Sequence, residues 1–366
     1  MSSSGARQPP GSAEPSAPGS GPAAAVRRPR RWPRRLLWSV LAVVVALALV
    51  FFAGGGWYFA GQIRSEALAV EPGTALPAYT DARVVGVAPG LIRLRAIGSQ
   101  PALFRPELDG IAWRGGIGRL GASVAVSGGV VTRPLTVVSG SPPRAGQLAG
   151  LDTSYFLGDP AAALGIPVQD VAVRGPLGPL PAWYFPGRGS TFVIGVHGRN
   201  STRNSLLRIV SIVHGMRFPA LDVTYRNDLG VAHDPSGYLR YGETEWRDLQ
   251  ATVAYGASQR SLPVTGGSIP APLVWTAETI ASGRFGVDWS ATDYLSDASW
   301  LKAPALVFHG TDDTTVPIST SIRLKQLRPA LVTLARFPGA GHVESWNIGR
   351  ARYTSLLESF LSPVAP

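Results

Sequence analysis

Three kinds of hydrophobic pattern follow one another along the chain. Residues 1–35 are mostly Ser, Gly, Pro, Ala and Arg, and residues 36–60 then form a run of 25 residues without a charge. From about 63 to 190, short apolar runs are separated by Gly and Pro, which is typical of β-strands. From 191 onward, continuous apolar runs alternate with stretches of helical period, which predicts alternating strands and helices.

The uncharged run predicts a transmembrane helix over 36–61, because about 20 apolar residues suffice to cross a bilayer. Trp38 and the pair Trp57-Tyr58 lie at its two ends, where aromatic rings favour the membrane–water interface. Arg residues cluster before the run and only Arg64 follows it closely. The positive-inside rule therefore predicts a single-pass protein of the cell membrane, with a cytoplasmic N-terminus and an extracytoplasmic main domain.

A cleaved signal peptide is the alternative interpretation of this run. Its apolar core would span about 7–15 residues and end at an A-x-A-like site. The run here is longer, and no such site is evident, so the sequence favours an anchor. The tail of residues 1–35 has too few large apolar residues to order itself, and we expect it to be disordered.

The distribution of charge and the absence of cysteine exclude several functions. Of the net charge of +11, six charges fall within residues 1–35, so the body lacks the basic stripe of a nucleic-acid-binding protein. The chain has no Cys, which excludes disulfides, a thiolate nucleophile and Cys-ligated metals. The histidines lack ligand spacing, and we predict neither a metal nor a cofactor.

The middle of the chain predicts a β-rich leader over 62–165. Apolar runs at 84–97, 121–138 and 167–185 have the punctuation of strands. The sequence GIGRLG at 116–121 formally matches a dinucleotide-binding motif. It opens no helix, and no acidic residue follows about 20 residues later, so we reject that interpretation.

Residues 166–366 have the pattern of an α/β domain. The continuous apolar runs at 191–198 and 303–310 predict strands buried on both faces. Strands and helices together imply a mostly parallel sheet with helices on both faces. Further strands are predicted at 219–228 and 331–339, and helices at 205–216, 242–258, 273–283 and 351–361.

Three motifs in this region carry a family resemblance: VIGVHGRN at 193–200, LVFHGTDDTTVP at 306–317 and FPGAGHVESWN at 337–347. With them the region resembles the α/β-hydrolase superfamily, in particular membrane-anchored bacterial members related to serine aminopeptidases and esterases. The resemblance implies an α/β-hydrolase fold, preceded here by the β-rich leader and the transmembrane helix. It also implies a serine hydrolase that acts on ester or small amide or peptide substrates.

The same resemblance assigns roles to individual residues. His342 is the expected general base, and Asp313 its carboxylate partner, with Asp312 as the alternative. A serine hydroxyl needs such a base, and the imidazole needs a carboxylate to fix its tautomer. The backbone N–H of Arg199 is the expected oxyanion donor, and His197 is expected to hold the turn before it.

The nucleophile is the least regular part of the pattern. Ser268 lies in GGSIP, close to the G-x-S-x-G turn that presents a nucleophilic serine, and Ile269 N–H would be a second oxyanion donor. Pro263 and Pro270 do not suit a buried strand followed at once by a helix. No strand pattern separates Ser268 from 303, so an alternative stays open: the chain lacks the nucleophile strand and is a catalytically inactive binding module or remnant.

Overall fold

The structure is a computed structural model that describes residues 34–71, 73–189, 191–259 and 293–366. The described strands number 13: β1 Ala82–Ala88, β2 Leu91–Ala96, β3 Asp109–Trp113, β4 Gly116–Leu120, β5 Ala125–Ser127, β6 Val130–Gly140, β7 Leu148–Asp152, β8 Gln169–Gly175, β9 Gly178–Phe185, β10 Val193–Val196, β11 Ala220–Val223, β12 Ala305–Gly310 and β13 Val332–Phe337. The described α-helices are α1 Arg34–Gln62, α2 Pro160–Leu164, α3 Leu207–Gly215, α4 Trp246–Gln259, α5 Ile318–Leu327 and α6 Ser345–Leu361. The helix predicted over 273–283 lies outside the described residues.

The chain divides after Gly54 into two compact units. The described part of the first unit is the exposed, apolar beginning of α1. Taken with the π-helical turn Ile63–Ala67 that continues it, α1 is long and apolar enough to cross a membrane. A signal sequence would pass the same test of length and composition, so membrane anchoring and its orientation stay a prediction.

The leader forms a seven-stranded antiparallel sheet with the strand order β2-β1-β7-β3-β4-β6-β5. Strand β2 also pairs with β6, which closes six of these strands into a small barrel with β5 on its outside. Closure leaves the six strands without free edges. The barrel core consists of fully buried apolar side chains, including Ile92, Leu94, Ile111, Trp113 and Val131.

The GIGRLG sequence forms β4, which pairs with β3 and β6. A Cβ atom on Gly116 would lie 2.7 Å from the ring of Trp113, the largest side chain of the barrel core. Its glycine therefore makes room for a tryptophan, which is a packing role. This placement agrees with the rejection of a dinucleotide site.

The parallel sheet predicted for the C-terminal region is present in two pieces. A four-stranded sheet has the order β10-β11-β9-β8, in which only β10 and β11 are parallel. A second sheet consists of the parallel pair β12 and β13. Side chains of α3 and α6 pack on one face of the first sheet, and side chains of α4 pack on the other.

The prediction that β10 and β12 are buried on both faces is wrong. Their residues are mostly half-buried, and Val196 is 46% exposed. Each strand is the last of its sheet, so one side of each has no strand partner within the described residues. The apolar composition of β10 and β12 is typical of central strands. In the described structure, however, each of them is at the end of its sheet.

Candidate functional site

His342 lies in the loop between β13 and α6, and its side chain is 45% exposed. Its Nδ1 atom lies 2.9 Å from Oδ2 of Asp313. Asp313 is in the loop that follows β12, the parallel partner of β13. Parallel neighbours bring their carboxyl ends to one edge of a sheet, and this places the two loops together.

The two loops are in direct backbone contact. The N–H of Asp312 donates to the carbonyl of Ala340 at 3.0 Å. Gly310, the last residue of β12, passes so close to Ala340 that a Cβ atom there would lie 2.1 Å from the Ala340 carbonyl oxygen. A glycine at the strand end is therefore required for the approach that joins Asp313 to His342.

Asp313 is held as an oriented carboxylate. Its side chain is 7% exposed, and its Oδ1 atom accepts hydrogen bonds from the N–H groups of Thr315 and Val316 at 2.9 and 2.8 Å. Burial opposes ionisation, but the hydrogen bonds from Val316 and His342 outweigh it and hold the pKa of Asp313 below its ordinary value. The group is thus an anion at neutral pH, aimed at the imidazole.

Two neighbours of this pair make their hydrogen bonds elsewhere, although His309 Nε2 also lies 3.8 Å from Oδ2 of Asp313. The hydroxyl of Thr311 donates to Oδ1 of Asp312 at 2.8 Å, and the carboxyl of Asp313 is the one on His342. His309 is buried, with Nδ1 2.7 Å from Ser321 Oγ and Nε2 3.0 Å from the carbonyl of Val316. Both ring nitrogens of His309 are occupied, which gives it a structural role.

The backbone next to His342 is strained. Val343 has a φ of 55°, in the left-handed region that β-branched residues rarely adopt. Its side chain is 56% exposed, so packing of the side chain does not account for the conformation. Strain of this kind costs about 1–3 kcal/mol and is concentrated at functional sites.

A buried pair of side chains, His197 and Asp228, supports the His-Gly turn that follows β10. His197 Nε2 lies 3.0 Å from Asp228 Oδ2, and its Nδ1 lies 3.0 Å from the carbonyl of Gly198. The ring also stacks on Tyr225 with centroids 4.8 Å apart. His197 therefore supports the turn, as expected, and Asp228 is a partner that the sequence pattern did not reveal.

The side chain of Arg199 has a structural role beside the oxyanion role predicted for its backbone N–H. Its guanidinium donates to the carbonyls of Glu66 and Ala67 at 2.6 and 3.0 Å, and to the hydroxyl of Tyr241 at 2.8 Å. The side chain thus fixes the turn to the segment that follows α1. No hydrogen bond within the described residues joins Arg199 to Asp313 or His342, and the oxyanion role of its N–H stays a prediction.

The predicted nucleophile Ser268 and the predicted donor Ile269 lie outside the described residues. Of the expected site, the structure brings together Asp313 and His342. Over the described ranges, no group of three or more His, Asp or Glu side chains is arranged to hold a metal ion.

No family model matches the chain, and no curated protein matches its sequence. Solved structures similar to part of it include an esterase from Pyrococcus furiosus, with 16% identity over 56% of this chain and 95% of that one, at a TM-score of 0.45. Another is an α/β serine hydrolase without a lid from Xanthomonas campestris, with 15% identity, coverage of 54% and 95%, and a TM-score of 0.39. A third is an esterase from Thermogutta terrifontis, with 16% identity, coverage of 54% and 94%, and a TM-score of 0.35.

Proposed function

We propose that this chain is a serine hydrolase of the α/β-hydrolase superfamily, anchored in the cell membrane by α1. Its substrates are small esters, amides or peptides outside the cytoplasm. The observation that carries the proposal is the hydrogen bond between His342 and Asp313. The two residues lie on loops after adjacent parallel strands, where this chemistry needs a base and its carboxylate.

The geometry of the pair suits a general base. Asp313 accepts a hydrogen bond from Nδ1–H, which leaves the Nε2 lone pair to take a proton from a nucleophile. No hydrogen bond to Nε2 is described, and the side chain is exposed at the surface. A hydroxyl within hydrogen-bond reach of Nε2 would lose its proton as it attacks a carbonyl carbon, and the imidazolium would return that proton to the leaving group.

We assign the nucleophile to Ser268, with Arg199 and Ile269 N–H groups as oxyanion donors. This assignment rests on the order of the motifs along the chain, in which Ser268 lies between the His-Gly turn and Asp313. The chemistry that follows is acyl transfer through an acyl-serine, with water as the final acceptor.

A second candidate is a non-catalytic binding module with the same fold. The observation that favours it is that β10 and β12 each end a described sheet, and that the described residues 293–304 contain no strand. In this alternative, the strand that should present the nucleophile is missing, and the His342–Asp313 pair is a remnant.

Turnover of a chromogenic short-chain ester by the purified full-length chain tests the proposal. We expect His342→Gln to lower kcat by about 10⁶-fold, because it lacks the base, and Asp313→Asn by about 10⁴-fold, because the imidazole loses the carboxylate that fixes its tautomer. His233→Gln, at an exposed histidine remote in sequence, is the matched control and should leave kcat unchanged. Turnover that survives in His342→Gln would exclude this site.

A further inference from the structure

The leader barrel reaches the loop that carries His342. Nη1 of Arg105, in the leader, lies 3.0 Å from Oε2 of Glu344 and 3.2 Å from Oε1 of Glu107. The same Glu344 oxygen accepts a hydrogen bond from the N–H of Gly341 at 2.8 Å. Glu344 therefore bridges Arg105 to the residue immediately before His342.

A second contact fixes the other end of this loop. The side-chain amide of Asn347 donates to the carbonyls of Leu108 and Thr153 at 2.6 and 2.8 Å. Its backbone carbonyl accepts from the N–H of Leu108 at 3.3 Å. Residues 341–347 are thus held at both ends by contacts with the leader, in addition to the backbone bond between Asp312 and Ala340.

The contacts of the His342 side chain are too few to fix its position. The described hydrogen bond of its ring is the one to Asp313, the side chain is 45% exposed, and the next residue is strained. A strained turn persists only when surrounding contacts over-determine it. The side chain of Glu344 spans this turn through its bond from the Gly341 N–H, beside a longer backbone bond from the Glu344 N–H to the Gly341 carbonyl at 3.4 Å.

The bridge is also shielded from water at one end. Glu107 is buried, and its Oε2 atom has no hydrogen-bond partner within the described structure. Burial and the nearby Glu344 raise the pKa of Glu107 to about 7. Arg105 is the cation that both carboxyls contact, so its removal leaves Glu107 and Glu344 without their shared counter-charge.

We infer that Arg105 is a positioning residue: through Glu344 and the Gly341 N–H, it holds the 341–344 turn in the conformation that sets His342 on Asp313. The leader is then a part of the active-site support rather than a separate module. The consequence for catalysis rests on the proposed function, but the orientation of the ring can be measured without any activity.

The experiment measures the tautomer of His342 from ring ¹⁵N chemical shifts in the full-length chain, labelled at histidine. The chain has five histidines, and the signal missing from His342→Gln assigns the relevant one. The hydrogen bond to Asp313 fixes the Nδ1–H tautomer, whereas an imidazole free of this partner reverts to the mixture found in water. We expect Nδ1–H to dominate in the wild type and to lose dominance in Arg105→Ala, with the other four signals unchanged.

Three further variants make the result specific. Arg105→Lys keeps the charge and should restore most of the Nδ1–H signal, and Arg93→Ala, at an exposed arginine of β2, should not alter it. Glu344→Gln keeps an acceptor for Gly341 but lacks the charge that pairs with Arg105, and it decides the question if Arg105→Ala unfolds. An unchanged tautomer in Glu344→Gln and in any folded Arg105→Ala would overturn the inference.

Activity separates this inference from the proposed function. In an active enzyme, Arg105→Ala should lower kcat about tenfold with KM little changed, because a displaced base affects the chemical step more than binding. If the wild type shows no turnover while the tautomer responds as expected, the proposed function fails and the positioning role stands. If turnover is present and the tautomer does not respond, the positioning role fails alone.

Discussion

Asp222 shows how a single buried group can limit stability. It lies in β11 opposite Gly195 of β10, is almost fully buried, and its Oδ2 atom has no hydrogen-bond partner within the described structure. A Cβ atom at Gly195 would lie 2.1 Å from Oδ1 of Asp222, so the glycine leaves space for this carboxyl. Burial raises the pKa of Asp222 to about 8, and Arg203 opposes the shift only in part.

We predict that Asp222→Asn removes a pH-dependent loss of stability. Because the pKa in the folded state lies above the ordinary value of 3.8, the folded chain binds the extra proton, and this group destabilises it increasingly as the pH rises from 4 to 8. The free energy of unfolding of wild type should fall relative to Asp222→Asn by up to about 1.4 kcal/mol per pH unit in that range.

Chemical denaturation of both proteins at pH 5, 6, 7 and 8 measures this difference. Asp170→Asn is a suitable control, because Asp170 is an exposed residue of β8 on the same sheet. Two parallel stability curves for wild type and Asp222→Asn would show that Asp222 is not buried in the way described.

At the scale of elements, a polar clamp lies between the segment after α1 and the His-Gly turn. Arg199 donates to two carbonyls of that segment, and Tyr241 donates to one of them at 2.7 Å. The N–H of Leu239 donates to the carbonyl of Leu68 at 3.0 Å. These bonds satisfy carbonyls at the end of a helix, which otherwise lack partners.

We predict that Arg199→Ala loosens this junction. Loss of the guanidinium removes the charged donor of two carbonyls, at a cost of about 0.5–1.5 kcal/mol, because these bonds are exposed and water replaces the donor. Hydrogen exchange at the amides of Leu68 and Leu239 should accelerate, whereas exchange in the barrel strands should not change. Arg217→Ala, at another surface arginine, is the control, and equal exchange in all three proteins would show that the clamp carries no stability.

Local pattern in the sequence was sufficient for most elements, and the family resemblance supplied one pair of site residues. Strands at 84–97, 167–185 and 331–339 are present, and the resemblance carried by LVFHGTDDTTVP and FPGAGHVESWN assigned Asp313 and His342, which do meet. These features depend on neighbours in sequence, such as a strand followed by a loop with Gly. Strand β3 was missed because all five of its residues are buried, so it shows no alternation.

Contacts between distant segments could not be predicted in the same way. Barrel closure depends on the register of β2 against β6. The ion pair between Arg105 and Glu344 joins residues that are 239 positions apart. The sequence around an arginine does not show whether its side chain is solvated or forms an ion pair with a distant residue. Two of the partners of Arg199 are the backbone carbonyls of Glu66 and Ala67, which leave no residue-specific signal in the sequence.

At the scale of the whole molecule, the chain combines a helix long enough to cross a membrane, a closed β-barrel and an α/β region whose described strands form two sheets. Closed barrels expose no edges, but β10 and β12 each end a described sheet. The split is consistent with either an interrupted hydrolase or a chain whose nucleophile lies in 260–292. Two properties remain to be tested at this scale: the topology of the chain across the membrane and the chemistry of the site.

We predict that the tail is cytoplasmic and the barrel is extracytoplasmic. The chain has no Cys, so single cysteines introduced at Ser2 and at the exposed Ser99 give clean reporters. In intact cells, a membrane-impermeant maleimide should label Ser99→Cys, and Ser2→Cys only after lysis. The reverse pattern would contradict the positive-inside assignment, and a shortened N-terminus on the mature protein would indicate a cleaved signal.

Covalent labelling by a fluorophosphonate probe tests the central claim most directly, because the probe reacts with serines that a histidine base activates. The account predicts that the purified full-length chain takes up one probe molecule per chain, on the peptide that contains Ser268. Labelling should be lost in His342→Gln and retained in His233→Gln. Absence of labelling in the folded wild-type chain, or labelling that persists without His342, would contradict it.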